Sequence, residues 1–220
     1  MKKINVYFMP GMAANSRIFD YIRLPEMYRI HKLDWMIPKK KETLKHYAKR
    51  ICKKINEPDP ILIGVSFGGI LIQEISKHLN YRKIVIISSI KTSKELPIGM
   101  KMAKKTNIHK ILPFQWINNL DKLALFAFGD GIKKKIKLYM KYLSFKDPNY
   151  LKWAIDCIVN WDQKETIKGL IHIHGKKDNV FPVKNLSGKV YLIEGNHAII
   201  ITRAYPVSYT HLTLPTNREV

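Results

Sequence analysis

The chain has 220 residues, is 46% hydrophobic, and carries 39 Lys and Arg against 17 Asp and Glu, a formal net charge of +22. Such a length and apolar content suit one sizeable core in a single globular unit with room for an inserted segment. No stretch reaches the roughly 18 unbroken apolar residues of a membrane span, and the opening "MKKINVYFMPGMAAN" runs into a glycine turn rather than a leader with a cleavage site, so a cytoplasmic protein is expected.

The first apolar run of strand length, "INVYFM" (4–9), leads into "PGMAANS"; a second, "YRIHKL" (28–33), follows. Next, "ETLKHYAKRICKKI" places Leu44, Tyr47, Ala48, Ile51 and Ile55 at helical spacing with Lys and Arg opposite, which predicts a helix lying on a sheet. The runs "ILIGV" (61–65) and "KIVIISS" (83–89) carry no polar alternation, as strands buried on both faces of a parallel sheet require. From about 91 to 168 the rhythm breaks into helix-like segments only, read as a helical insertion over one end of the sheet, with Trp116, Phe126, Phe128, Trp153 and Trp161 as its core. The strand runs resume with "LIHIHG" (170–175) and "KVYLIE" (189–194). The last residues, "VSYTHLTLPTNREV" (207–220), look like translated sequencing-adapter DNA and are set aside as a non-native tail that cuts short the helix expected after "GNHAIIITRA". The expected class is therefore α/β: a mostly parallel six-stranded sheet flanked by helices, with a helical cap.

The stretch "ILIGVSFGGILIQEI" sets Ser66 between Gly64 and Gly68, where a buried strand gives way to a helix. A GxSxG pattern arises by chance in roughly one chain of this length in fifteen, so its context carries the reading. A sharp strand-to-helix turn lifts a serine above the sheet edge, and Gly64, Gly68 and Gly69 leave room for the neighbouring backbones. A serine hydroxyl needs a base held by a carboxylate. Asp178 in "HGKKDNVFP" and His197 in "IEGNHAII" each follow a strand run, which brings both to the same carboxyl edge. The backbone N–H of Phe67, directly after the serine, and of Met12, beyond Gly11, are the two candidate donors for an oxyanion. They flank a crevice if the third strand pairs with the first while the second lies on the far side.

With "GVSFGG", "HGKKDNVFP" and "GNHAII" in that order over residues 1 to about 206, the chain resembles the α/β-hydrolase fold superfamily, in particular its small bacterial serine hydrolases. The resemblance implies an acyl-enzyme mechanism in which Ser66 attacks, His197 shuttles the proton and Asp178 orients His197. It also implies that 91–168 covers the acyl pocket. The substrate would be a small-molecule carboxylic ester or thioester. Two departures stand out: "PG" at 10–11 replaces the usual "HG", and the early antiparallel strands of larger members are missing, leaving a minimal six-stranded sheet.

"HIH" at 172–174 raises a metal site, because alternate strand residues share a face. The run that would complete it has lysines at 176 and 177, so no metal and no cofactor is expected; His174 is read as positioning the acid loop and His172 as packed or solvated. Cys52 and Cys157 lack CxxC spacing and are read as buried free thiols. The alternative to an enzyme is a non-catalytic basic module for an anionic membrane surface or nucleic acid. It rests on the charge and on "IKKKIKLYMKYL", where Ile132, Ile136, Leu138, Tyr139 and Leu143 form an apolar face beside lysines. Against it, the lysines are spread along the chain, A/T-rich codons favour Lys, Ile and Asn alike, and no RNP, zinc-finger or Walker pattern is present. No specific nucleic-acid partner is expected, only a weak attraction to anionic surfaces, and nothing in the sequence assigns an oligomeric state.

Overall fold

Uninterrupted Ile, Leu and Val runs form the middle of the sheet in a computed structural model that describes residues 3–111 and 140–208. The strands are β1 (Ile4–Met9), β2 (Tyr28–Lys32), β3 (Ile61–Val65), β4 (Lys83–Ile87), β5 (Ile171–Gly175) and β6 (Tyr191–Ile193). They form one sheet in the order β2-β1-β3-β4-β5-β6, and every pairing is parallel. All five residues of β3 are buried, and successive side chains point to opposite faces, so both faces of the sheet are covered there. Each fully buried Leu or Ile contributes about 1.5–3 kcal/mol, so β3 adds substantially to the cohesion of the sheet.

The helix after β2 is α1 (Leu44–Cys52), started by Thr43, whose hydroxyl accepts from the His46 N–H at 3.3 Å, and ended short of Ile55, where the Lys54 and Ile55 N–H groups bond to the Ile51 and Cys52 carbonyls instead. It buries Tyr47, Ala48 and Ile51 and packs on α2 (Phe67–Ile75), whose nine residues are all buried between the sheet and its neighbours. Within the expected insertion lie α3 (Ile98–Thr106), α4 (Ile108–Ile111) and α5 (Pro148–Asn160), the last started by the Asp147 carboxylate accepting from the Tyr150 N–H at 2.8 Å. Helices α3 and α4 pack on α5, which also meets α2.

Of the aromatic residues assigned to the core of the insertion, Trp161 is buried and Trp153 partly so; Trp116, Phe126 and Phe128 lie outside the described residues. Most of the apolar face drawn through 132–143 lies outside them too, but Leu143 is buried in the core and does not belong to an outward face. Both cysteines are free and half-buried, less covered than expected. After β6 come two short helices, α6 (Ile199–Thr202) and α7 (Ala204–Val207), the second at the place where a helix cut short by the tail was expected. Val207 and Ser208 are buried, and the Ser208 hydroxyl donates to the Ala204 carbonyl and accepts from the Arg23 N–H; residues 209–220, most of the suspected tail, are outside the described residues. Among the described residues no helix is long and apolar enough to cross a membrane.

Candidate active site

Strand β3 ends in a backbone that a side chain disfavours. Ser66 has φ 53° and ψ −121°, a region suited to glycine, and stays there because both of its peptide groups are held. Its N–H donates to the Ile87 carbonyl at 2.9 Å, while its carbonyl accepts from the Ser89 hydroxyl at 2.8 Å and the Gly69 N–H at 2.9 Å. The glycines are required by space. A Cβ on Gly68 would lie 2.3 Å from the Pro10 carbonyl oxygen, one on Gly64 would lie 2.3 Å from the Gly68 oxygen, and one on Gly69 would lie 2.5 Å from the Ser89 hydroxyl. The turn leaves the serine partly exposed among buried neighbours.

Two adjacent strand ends carry Asp178 and His197. The turn after β5 and the turn after β6 are stitched together, Lys176 N–H to the Ile193 carbonyl at 2.9 Å and Lys177 N–H to the Gly195 carbonyl at 2.8 Å. A side chain at Gly175 would prevent that approach, its Cβ falling 2.3 Å from the Asn196 oxygen. Asp178 is buried; its Oδ1 accepts from the backbone N–H groups of Val180 at 2.8 Å and Phe181 at 2.9 Å, which closes the turn. Its Oδ2 lies 2.7 Å from His197 Nδ1, and His197 Nε2 lies 2.9 Å from Ser66 Oγ. Burial pushes the Asp178 carboxyl up, but the facing His197 and the hydrogen bonds from His174 and His197 outweigh it and hold the group well below the usual carboxylate range. Serine, histidine and aspartate, far apart in sequence, thus form one hydrogen-bonded line.

The loop after β1 lies against the serine: a Cβ on Gly11 would be 3.4 Å from Ser66 Cβ. Trp35, just beyond β2, is buried and donates its indole N–H to the Gly11 carbonyl at 2.9 Å. A trans peptide directs its N–H opposite to its C=O, so this bond turns the Met12 N–H away from Trp35. The Trp35 ring also stacks on Phe67, with centroids 5.0 Å apart and planes 7° apart. Phe67 is the first residue of α2, where an N–H has no acceptor within the helix. One indole therefore braces both residues expected to supply oxyanion donors. Sequence reasoning passed over Trp35; its available signal was a large aromatic at the carboxyl end of a strand next to the site.

Ser66 and His197 open into a cavity of about 340 Å³. Its described walls come from the β1 loop, α3, α4, α5 and α6, with apolar side chains such as Met100, Leu143, Ile155, Ile158, Phe181 and Ile200. His109 also reaches it, its Nδ1 3.0 Å from the Ala103 carbonyl and its Nε2 2.9 Å from the Asp156 carboxylate. Among the described lining residues there is no Lys, Arg, Asp or Glu.

The chain matches no protein-family model and no curated protein by sequence. Solved structures do match it in three dimensions. A hydrolase from Oleispira antarctica aligns over 96% of this chain and 90% of its own with a TM-score of 0.74 and 13% identity. The enol-lactonase from Burkholderia xenovorans aligns over 96% and 91%, with a TM-score of 0.73 and 12% identity. An esterase from Exiguobacterium antarcticum also covers 96% and 91%, with a TM-score of 0.71 and 17% identity. At such identities the likeness is one of fold.

Proposed function

From the premise that this chain has the α/β-hydrolase fold, we propose that it is a serine hydrolase cleaving a carboxylic ester or thioester through an acyl-enzyme. The observation that carries the reading is the pair of short contacts, 2.9 Å from Ser66 Oγ to His197 Nε2 and 2.7 Å from His197 Nδ1 to Asp178 Oδ2. The neighbours' names, hydrolase, enol-lactonase and esterase, support hydrolysis as the reaction class.

Ser66 Oγ attacks the carbonyl carbon while its proton passes to His197 Nε2, and the carbonyl oxygen becomes an oxyanion facing the N–H groups of Phe67 and Met12. Asp178, ionised and fixed by backbone donors, stabilises the imidazolium through Nδ1. Collapse of the tetrahedral species breaks the bond to the leaving oxygen or sulfur, which takes the proton from His197. Water then attacks the acyl-enzyme, yields a proton to His197, and Ser66 regains it as the acid departs. The acyl group belongs to the apolar class, because a charged group in a cavity whose described walls carry no Lys, Arg, Asp or Glu would be desolvated without a partner. The helices α3, α4 and α5 then act as the cap over that acyl group.

Fluorophosphonate labelling of the purified chain, with Ser66→Ala and His197→Ala beside it, tests the proposal. Labelling of the wild type alone, followed by turnover of neutral esters or thioesters, is the expected result; a folded wild type that resists labelling, or a Ser66→Ala variant that keeps its turnover, would overturn it.

A further inference from the structure

Behind Asp178 the hydrogen-bonded line continues away from the substrate. His172 and His174 are alternate residues of β5, on one face of the strand, and both are completely buried. Their rings meet edge to face, with centroids 5.0 Å apart and planes 89° apart. His172 Nε2 is 3.0 Å from His174 Nδ1, and His174 Nε2 is 2.8 Å from the Phe181 carbonyl and 3.1 Å from Asp178 Oδ2.

Proton accounting fixes a direction. The Phe181 carbonyl and the Asp178 carboxylate only accept, so His174 Nε2 must carry a hydrogen. One hydrogen is then needed between His174 Nδ1 and His172 Nε2. If it sat on His174, that ring would be a cation and His172 would have to carry its own hydrogen on Nδ1. The Ser89 carbonyl approaches the His172 ring, but no atom meets the buried Nδ1 in hydrogen-bonding geometry. An orphaned buried N–H is less tolerable than an orphaned lone pair. The hydrogen therefore belongs on His172 Nε2.

We propose that His172 and His174 are positioning residues that present Asp178 with a one-way line of imidazole donors, His172 Nε2–H to His174 Nδ1 and His174 Nε2–H to Asp178 Oδ2. The line has two consequences, and its catalytic meaning rests on the serine-hydrolase reading above. First, Asp178 receives four donors, two backbone N–H groups on Oδ1 and two histidines on Oδ2, which leave its carboxylate one orientation. Second, His174 shares Oδ2 with His197 and draws off part of its negative charge, which moderates the pull of the carboxylate on the imidazolium formed during attack. The bond from His174 to the Phe181 carbonyl fastens the same loop, and the Phe181 ring in turn packs against His197 with centroids 5.8 Å apart.

Two experiments test this. Long-range 1H–15N correlation NMR of the wild type at about pH 8 reads imidazole tautomers without substrate. Nε2–H signals from both His172 and His174 are expected; an Nδ1–H at either position overturns the line, whatever the protein catalyses. In ester turnover, His174→Phe should lower kcat about tenfold or more with KM nearly unchanged, since a hydrogen bond to a charged group has been lost. His174→Gln, which can return an amide N–H to the position of Nε2, should recover most of the rate. A folded His174→Phe with wild-type kcat, or a folded His174→Gln no better than His174→Phe, refutes the proposal. Should His174→Phe fail to fold, His172→Phe decides by NMR: His174 should keep its Nε2–H, which still faces Phe181 and Asp178, while its Nδ1, relieved of a donor, should move toward the position of a free ring nitrogen; an unchanged His174 Nδ1 signal refutes the role of His172. Absence of fluorophosphonate labelling in the wild type would strike the hydrolase reading instead, and the tautomers read by NMR would still decide whether the line exists.

Discussion

Replacing Ser66 by glycine and by alanine separates the strain at the elbow from its chemistry. Both substitutions remove Oγ and its bond to His197, so that loss cancels between them. Alanine keeps a Cβ at φ 53° and ψ −121°, a conformation that costs a non-glycine residue about 1–3 kcal/mol. Glycine relieves that strain but loses more backbone entropy on folding, about 0.5–1 kcal/mol. The balance favours Ser66→Gly over Ser66→Ala by about 1 kcal/mol, or about 2–4 °C in Tm for a chain of this size. Urea titration followed by tryptophan fluorescence gives the difference, and neither variant should take a fluorophosphonate label. An alanine variant as stable as the glycine variant, or more so, would show that the turn holds no strain and that the positive φ of Ser66 is not an imposed feature.

Gly68→Ala should destabilise by at least about 2 kcal/mol and abolish labelling, because its Cβ would meet two backbone oxygens, of Pro10 at 2.3 Å and of Met9 at 2.5 Å, that cannot rotate away; wild-type stability would contradict so close an approach of β1 to α2. Burial, with His174 and Lys91 nearby, holds the His172 pKa down to about 2 in the folded state. In the unfolded chain it returns to about 6.5, so the unfolded state binds the extra proton between these limits and stability falls as pH drops below about 6.5, by up to roughly 1.4 kcal/mol per pH unit. His172→Phe should flatten that slope in urea midpoints taken between about pH 6.5 and pH 4, and an unchanged slope would mean that other groups carry it. The Cys157 thiol is pushed up by burial and by the nearby Asp156 and Glu42 carboxylates. It should react with iodoacetamide far more slowly in the folded chain than in urea; equal rates would refute its shielding.

The sheet was legible wherever a strand is covered on both faces. β1 and β3 fall on the residues their apolar runs mark, since a strand buried on both sides has no polar position to blur its ends. β4 stops two residues before its run does. Ser88 takes φ 48° and Ser89 turns its hydroxyl to the Ser66 carbonyl, a tertiary demand that composition does not encode. β6, at one end of the strand order, keeps only three residues of a six-residue run, and its Leu192 is exposed. For the candidate site, chain order and strand ends were enough to bring out Ser66, Asp178 and His197. Trp35 escaped because its part depends on a loop 24 residues away. The direction of the His172–His174 pair escaped as well: spacing puts two imidazoles on one face but does not say that a carboxylate and a carbonyl wait at one end and no acceptor at the other.

Charge and chemistry are partitioned in this chain. A net charge of +22 makes long-range attraction to anions unavoidable, yet the described residues lining the cavity beside Ser66 include neither Lys nor Arg. The polar groups at the site are instead drawn from three strand ends, where backbone donors, imidazoles and one buried carboxylate satisfy each other over short distances. An exposed lysine field is screened within about 10 Å at moderate salt, whereas a buried line of hydrogen bonds is not. The basic surface therefore bears on where the protein resides and how anions approach it. Under the proposed reading, selection of the acyl group falls to the apolar walls, and activation of Ser66 to the line that begins at His172.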